Sequence, residues 1–250
     1  MKVTKLKRKL GNIPLLELFP EGMENEKLPG IIWYHGWQMH KDIVMSQGIL
    51  FAAEGYRVII PDAENHGERR SETSSIPSLT FFQSVQTNLF EFEYIINTYR
   101  SKGLITDKIA VGGISMGAFT TFALITHHPE IVLAGTLMGT PNIVNWRNRI
   151  QGHAVNADLF LPTTYNELTG WVEKYNLATQ PEKAQGTKFY IWHGSEDWRV
   201  PFEDIKNFTE ENTWLDAQIH FDYGVGHQVT PPITNELRDF FAEHKGLLLD

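Results

Sequence analysis

Ser115 lies in the run Gly112-Gly113-Ile114-Ser115-Met116-Gly117, and these residue types at this spacing describe a nucleophile on a sharp turn. The run follows Lys108-Ile109-Ala110-Val111, which reads as a buried strand, and precedes residues 118–125, which read as a helix packed in a core. Glycines flank the serine because any Cβ there would collide with the adjacent strand or helix. A hydroxyl pushed out on such a turn can attack a carbonyl carbon. It is a weak nucleophile alone, so it needs a base within hydrogen-bond reach and a carboxylate to orient that base.

The chain offers both groups in loops after later strands. His193-Gly194-Ser195-Glu196-Asp197 follows an apolar strand, and Asp197 is the expected carboxylate, with Glu196 in reserve. Tyr223-Gly224-Val225-Gly226-His227 follows the last strand, which makes His227 the expected base. Of the ten histidines, His127 and His128 read as helix-ending residues and His193 as a packed core residue. His40, His153, His220 and His244 read as surface or boundary residues. An attacked carbonyl also develops an oxyanion, which needs preorganised N–H donors. Met116, directly after the nucleophile, supplies one. Trp37, in the loop His35-Gly36-Trp37-Gln38 after an early strand, supplies the other. The expected substrate pocket is formed by His35, Gly36, Trp146, Trp171 and Trp198.

Two other clusters invite weaker readings. Asp62-Ala63-Glu64-Asn65-His66 has acidic groups and a histidine, but no second histidine at ligand spacing, so it reads as a structural loop and no metal is expected. Arg147 and Arg149 could meet an anionic substrate, yet they read first as solvated surface residues. No cofactor is expected.

The elements that must position these groups alternate between strand and helix. Residues 1–9 and 12–19 read as a hairpin turning at Gly11-Asn12. Strands are expected at 30–34, 56–60, 108–111, 132–138, 189–193 and 217–222, and helices at 41–54, 78–101, 118–125, 201–213 and 231–246. The helix at 78–101 has the strongest signal, with Phe82, Val85, Leu89, Phe92, Ile96 and Tyr99 three or four residues apart. Strands that are apolar throughout imply a mostly parallel sheet with helices on both faces, extended by the antiparallel N-terminal hairpin. Catalytic groups then belong at the carboxyl ends of the strands. Residues 142–185 break the rhythm and read as a small helical lid within a single domain spanning 1–250.

Composition narrows the function classes. The chain has 250 residues, a net charge of −8 and no cysteine. Thiolate metal sites, disulfides and a cysteine nucleophile are therefore out. No clustered Lys and Arg follow the first ten residues, which disfavours nucleic acid as a partner. The basic N-terminus lacks an apolar segment and a cleavage site, and no stretch is apolar enough for a membrane span. A cytoplasmic enzyme acting on a small molecule is the expectation, with the oligomeric state, a homodimer included, left open.

The ordered set His35-Gly36, Asp62…His66-Gly67, Gly113-Ile114-Ser115-Met116-Gly117, Gly194-Ser195-Glu196-Asp197 with Val200-Pro201, and Gly226-His227 resembles the α/β-hydrolase superfamily. Within it the chain is similar to small bacterial esterases of the dienelactone hydrolase and prolyl oligopeptidase-like branch. The resemblance runs from about residue 12 to 245 and implies a nucleophile elbow followed by acid and then histidine. It also implies hydrolysis of small, short-acyl carboxylic esters without a cofactor. A thioesterase or a small-molecule deacetylase would use the same triad. A non-catalytic hydrolase-fold protein that binds a ligand is the reading from another class.

Overall fold

A computed structural model describes residues 1–71 and 76–249. Eight strands form one sheet: β1 (Val3–Leu10), β2 (Ile13–Pro20), β3 (Leu28–Tyr34), β4 (Arg57–Pro61), β5 (Ile105–Ile114), β6 (Ile131–Leu137), β7 (Lys188–Gly194) and β8 (Ala217–Asp222). Their spatial order is β1-β2-β4-β3-β5-β6-β7-β8. β2 runs antiparallel to both β1 and β4, and every other neighbouring pair is parallel. The lysine-rich β1 is the exposed edge, where charge discourages further pairing.

The apolar residues of the inner strands feed two cores, one on each face. Ile32, Val111 and Ile191 pack with Phe92 of α2 (Pro77–Ser101), Phe122 of α3 (Met116–Ile125) and Phe208 of α6 (Phe202–Glu211). On the other face Trp33, Tyr190 and Leu133 pack with Phe51 of α1 (Met45–Ala53) and Phe241 of α7 (Pro231–His244). Burial on both faces explains why these strands carry no polar alternation.

The insertion is more extended in helix than its sequence suggested. It opens with a fourteen-residue helix, α4 (Ile143–Asn156), capped by the Asn142 side chain, which accepts the Asn145 N–H at 3.0 Å. A single turn, α5 (Tyr165–Leu168), and three 3₁₀ turns at Gly170–Glu173, Leu177–Thr179 and Pro181–Ala184 complete it. The helix expected at 41–54 begins only at Met45, because the Lys41 side chain and N–H are drawn to Asp62 instead. No helix among the described residues is long and apolar enough to cross a membrane.

Candidate active site

Ser115 sits between β5 and α3 with φ +53 and ψ −114, a backbone conformation that non-glycine residues rarely adopt. The strain is held by neighbours. The Ser115 N–H donates to the Leu137 carbonyl of β6 at 2.8 Å, and its own carbonyl accepts the N–H of Ala118 at 2.8 Å and of Phe119 at 3.1 Å. A Cβ on Gly113 would lie 2.6 Å from the Tyr34 carbonyl oxygen, so the flanking position admits only glycine without backbone movement.

Asp197 and His227 reach Ser115 from the ends of β7 and β8. The loops that carry them are tied together, with the Glu196 N–H donating to the Val225 carbonyl and the Ser195 N–H to the Asp222 carbonyl, each at 2.9 Å. His227 Nδ1 lies 2.6 Å from Asp197 Oδ2, and His227 Nε2 lies 3.0 Å from Ser115 Oγ. This geometry fixes the tautomer. Nδ1–H donates to the carboxylate, which leaves the Nε2 lone pair facing the serine hydroxyl. Glu196 is exposed and points its backbone, not its carboxylate, into this network.

Four donors surround the Asp197 carboxylate. Oδ1 accepts the N–H groups of Arg199 and Val200, both at 2.9 Å, and Oδ2 faces His227 and, at 3.3 Å, His193 Nε2. Burial alone would raise its pKa. The hydrogen bonds from His193, His227 and Val200 outweigh that and hold Asp197 well below the usual carboxylate range. His193 is fully buried at the end of β7, as a core histidine, but its contact with Asp197 is one that sequence reasoning missed.

Met116 directly follows Ser115, and Trp37 lines the same cavity as Ser115. Met116 is the first residue of α3, where backbone N–H groups have no helical acceptor. Among the described residues neither its N–H nor that of Trp37 has a hydrogen-bond partner.

Ser115 and His227 open onto a cavity of about 950 Å³. Gly36, Trp146 and Trp198, three of the residues expected at a substrate pocket, line it, and so does Trp37. Its aromatic wall is interlocked. Phe81 packs on Trp37 at 5.6 Å, on Phe119 at 5.5 Å and on Trp146 at 5.9 Å between ring centroids. Arg149, His153 and Arg199 also line the cavity; Arg149 was read first as a solvated surface residue, with an anionic substrate as its other reading, and His153 as a surface or boundary residue.

Two expected pocket residues lie elsewhere. His35 is 1% exposed and turned into the protein, where Nδ1–H donates to the Gly36 carbonyl at 2.9 Å and Nε2 accepts the Ala63 N–H at 3.0 Å. Burial pushes its pKa down to about 4, so it stays neutral and braces two loops. Trp171 stands on a 3₁₀ turn that folds against α2, and it packs on Phe82 at 6.4 Å and Tyr175 at 5.9 Å rather than on the cavity.

The Asp62 loop is a structural latch. Asp62 is wholly buried and accepts from Lys41 Nζ at 2.6 Å, the Lys41 N–H at 2.9 Å and the Glu68 N–H at 3.0 Å. Its neighbour His66 packs its ring on Trp37 at 4.8 Å, which connects the latch to the cavity wall. Arg147, expected at the surface, is instead largely buried and reaches Glu173 at 3.3 Å.

Known proteins share this arrangement of elements. A family model described as the alpha/beta hydrolase fold matches residues 29–226. Over 242 residues the chain is 26% identical to Esterase YjfP of Escherichia coli (strain K12), across 95% of this chain and 97% of that protein. Among solved structures, TT1662 from Thermus thermophilus superposes with a TM-score of 0.72 at 21% identity, over 98% of each chain. A cold-adapted esterase from an Arctic intertidal metagenomic library superposes with a TM-score of 0.66 at 13% identity, over 96% of this chain and 93% of that one. The elbow after β5, the sheet order and the match across residues 29–226 together make this chain a member of the alpha/beta hydrolase fold family.

Proposed function

We propose that this chain is a serine carboxylesterase acting on small, short-acyl esters through an acyl-enzyme. The single observation that carries the reading is the unbroken chain of hydrogen bonds from Asp197 through His227 to Ser115 Oγ. Ser115 Oγ attacks the ester carbonyl while its proton passes to His227 Nε2. Asp197, ionised and held by its four donors, stabilises the imidazolium that forms. The N–H groups of Met116 and Trp37 receive the oxyanion, at roughly 3 kcal/mol for each donor. The tetrahedral intermediate collapses, His227 returns the proton to the departing alcohol, and the acyl group remains on Ser115. Water, deprotonated by His227, then attacks the acyl carbonyl and releases the acid.

The short-acyl preference rests on the aromatic wall. Interlocked Trp37, Phe81, Phe119 and Trp146 form an apolar wall of the cavity that Ser115 also lines, and the 142–185 insertion contributes Trp146 to it. Similarity to Esterase YjfP supports the ester class. The test is pre-steady-state hydrolysis of 4-nitrophenyl butyrate. A burst of nitrophenol stoichiometric with enzyme is expected, with a burst and turnover lost in Ser115→Ala by at least about a thousandfold. Linear release without a burst, at a rate that Ser115→Ala retains, contradicts the reading.

A further inference from the structure

The cavity has a direction. Trp146, Arg149, Ile150 and His153 are spaced three, one and three residues apart along α4, so they share one helix face, and all four line the cavity. Trp146 and Ile150 are half-buried, whereas Arg149 and His153 are exposed. Trp146 packs at 5.4 Å on Phe119 of the elbow helix α3. The face therefore sets its two apolar side chains deeper than its two polar ones, with Trp146 packed toward the elbow helix.

A second guanidinium, Arg199 in the loop after β7, lines the same cavity. Arg199 lies with its Cζ 4.9 Å from the centroid of the exposed Trp198 ring, and its N–H donates to Asp197 Oδ1 at 2.9 Å. The turn that sets the triad carboxylate thus also sets this charge. The chain carries an excess of acidic residues, 30 against 22 Lys and Arg, yet among the described residues no Asp or Glu lines the cavity. Arg57, Arg69 and Arg147 each pair with a carboxylate. Among the described residues none pairs with Arg149 or Arg199. Asp204 senses Arg149, but its oxygens are taken by Asn145 Nδ2 at 2.7 Å and Thr140 Oγ1 at 3.3 Å.

The geometry points to a short-acyl ester of an anionic alcohol as the substrate of this site, with the alcohol's carboxylate or phosphate held by Arg149 and Arg199. This rests on the esterase reading of Ser115. The alcohol half belongs at the two exposed arginines because it leaves first, while the acyl half is still covalently held beside the aromatic wall. Hydrolysis then consumes one water and releases the acid and the anionic alcohol.

The test compares acetate release from 4-acetoxybutanoate and from 4-acetoxybutyl phosphate with release from neutral methyl 4-acetoxybutanoate. At least one anionic ester is expected to have a kcat/KM about tenfold above the neutral one, the scale of two solvent-exposed charge contacts, and the better of the two names the anion. That ratio is expected to fall toward one in Arg149→Gln/Arg199→Gln and in high salt. Both residues are exposed, so the variant's fold is not at issue. Ratios near one in the unmodified protein, or a preference that survives the double substitution, overturn the inference while leaving the esterase reading standing. The same esters are titrated into Ser115→Ala by the fluorescence of the cavity tryptophans. If nothing is hydrolysed, tighter binding of an anionic ester that is lost in the double variant keeps the anion site and removes the esterase reading. Equal binding of charged and neutral esters removes the anion site.

Discussion

His193 Nε2 stands 3.3 Å from Asp197 Oδ2, the same oxygen that His227 Nδ1 reaches at 2.6 Å. Its Nε2–H also points to the Val200 carbonyl at 3.1 Å, while the buried Nδ1 has no hydrogen-bond partner among the described residues. The His193 imidazole thus braces the carboxylate that meets His227. His193→Ala is expected to lower kcat about tenfold or more, the scale of losing a hydrogen bond to a charged group, with KM little changed. His193→Gln, which keeps a donor, is expected to recover most of that loss. Steady-state kinetics beside a melting curve check this. Full activity in a folded His193→Ala protein would remove the positioning role.

Gly194 ends β7 where the loop carrying His227 crosses over it. A Cβ there would lie 2.8 Å from the Val225 carbonyl carbon and 2.9 Å from the Gly226 carbonyl oxygen. Gly194→Ala is expected to push the His227 loop away and cut kcat by up to about a hundredfold, since displacements near 1 Å cost that much. Ester hydrolysis by the purified variant measures it. Unchanged turnover would mean that the loop yields without moving the imidazole.

His35 is held neutral in the folded chain, with a pKa pushed down to about 4 by burial, against 6.5 when unfolded. Between those values the unfolded chain binds the extra proton. The stability it contributes is therefore complete above about pH 6.5 and is lost as pH falls toward about 4, by roughly 3 kcal/mol in total. Urea denaturation of the wild type and of His35→Gln across this range tests the point. The difference in their pH slopes should appear within that window. Parallel curves would contradict it.

The strands and most helices were legible because an inner parallel sheet demands apolar runs, and α2 shows its face at helical spacing. Ser115, Asp197 and His227 could be named because each lies just beyond a strand. What escaped depends on which way a side chain turns after the sheet assembles. His35 turns inward because parallel pairing of β3 with β4 brings Ala63 N–H beside it, a register that the sequence does not print. Trp171 was misplaced because a 3₁₀ turn has no periodic signal, and its backward fold onto α2 decides its partners. His153 did carry a signal, the 146/149/150/153 spacing that puts it on one helix face with Arg149. It becomes visible only once 143–156 is read as one continuous helix.

Trp146 packs on Phe81 and Phe119 in the aromatic wall. Trp146→Ala is expected to admit longer acyl chains and to raise the ratio of 4-nitrophenyl octanoate to butyrate turnover by about tenfold, a scale set by added methylenes in an apolar pocket. An unmoved ratio would place the chain-length limit elsewhere. Turnover of the octanoate above the butyrate in the unmodified protein would contradict the short-acyl reading itself.

The proposed esterase reaction requires that Ser115 be a nucleophile activated by His227. Reaction with a fluorophosphonate, followed by intact mass and peptide mapping, tests it directly. One adduct is expected, on Ser115, formed at a rate that His227→Gln reduces by about a thousandfold or more. No adduct on the folded protein, or one that persists in Ser115→Ala, would contradict it.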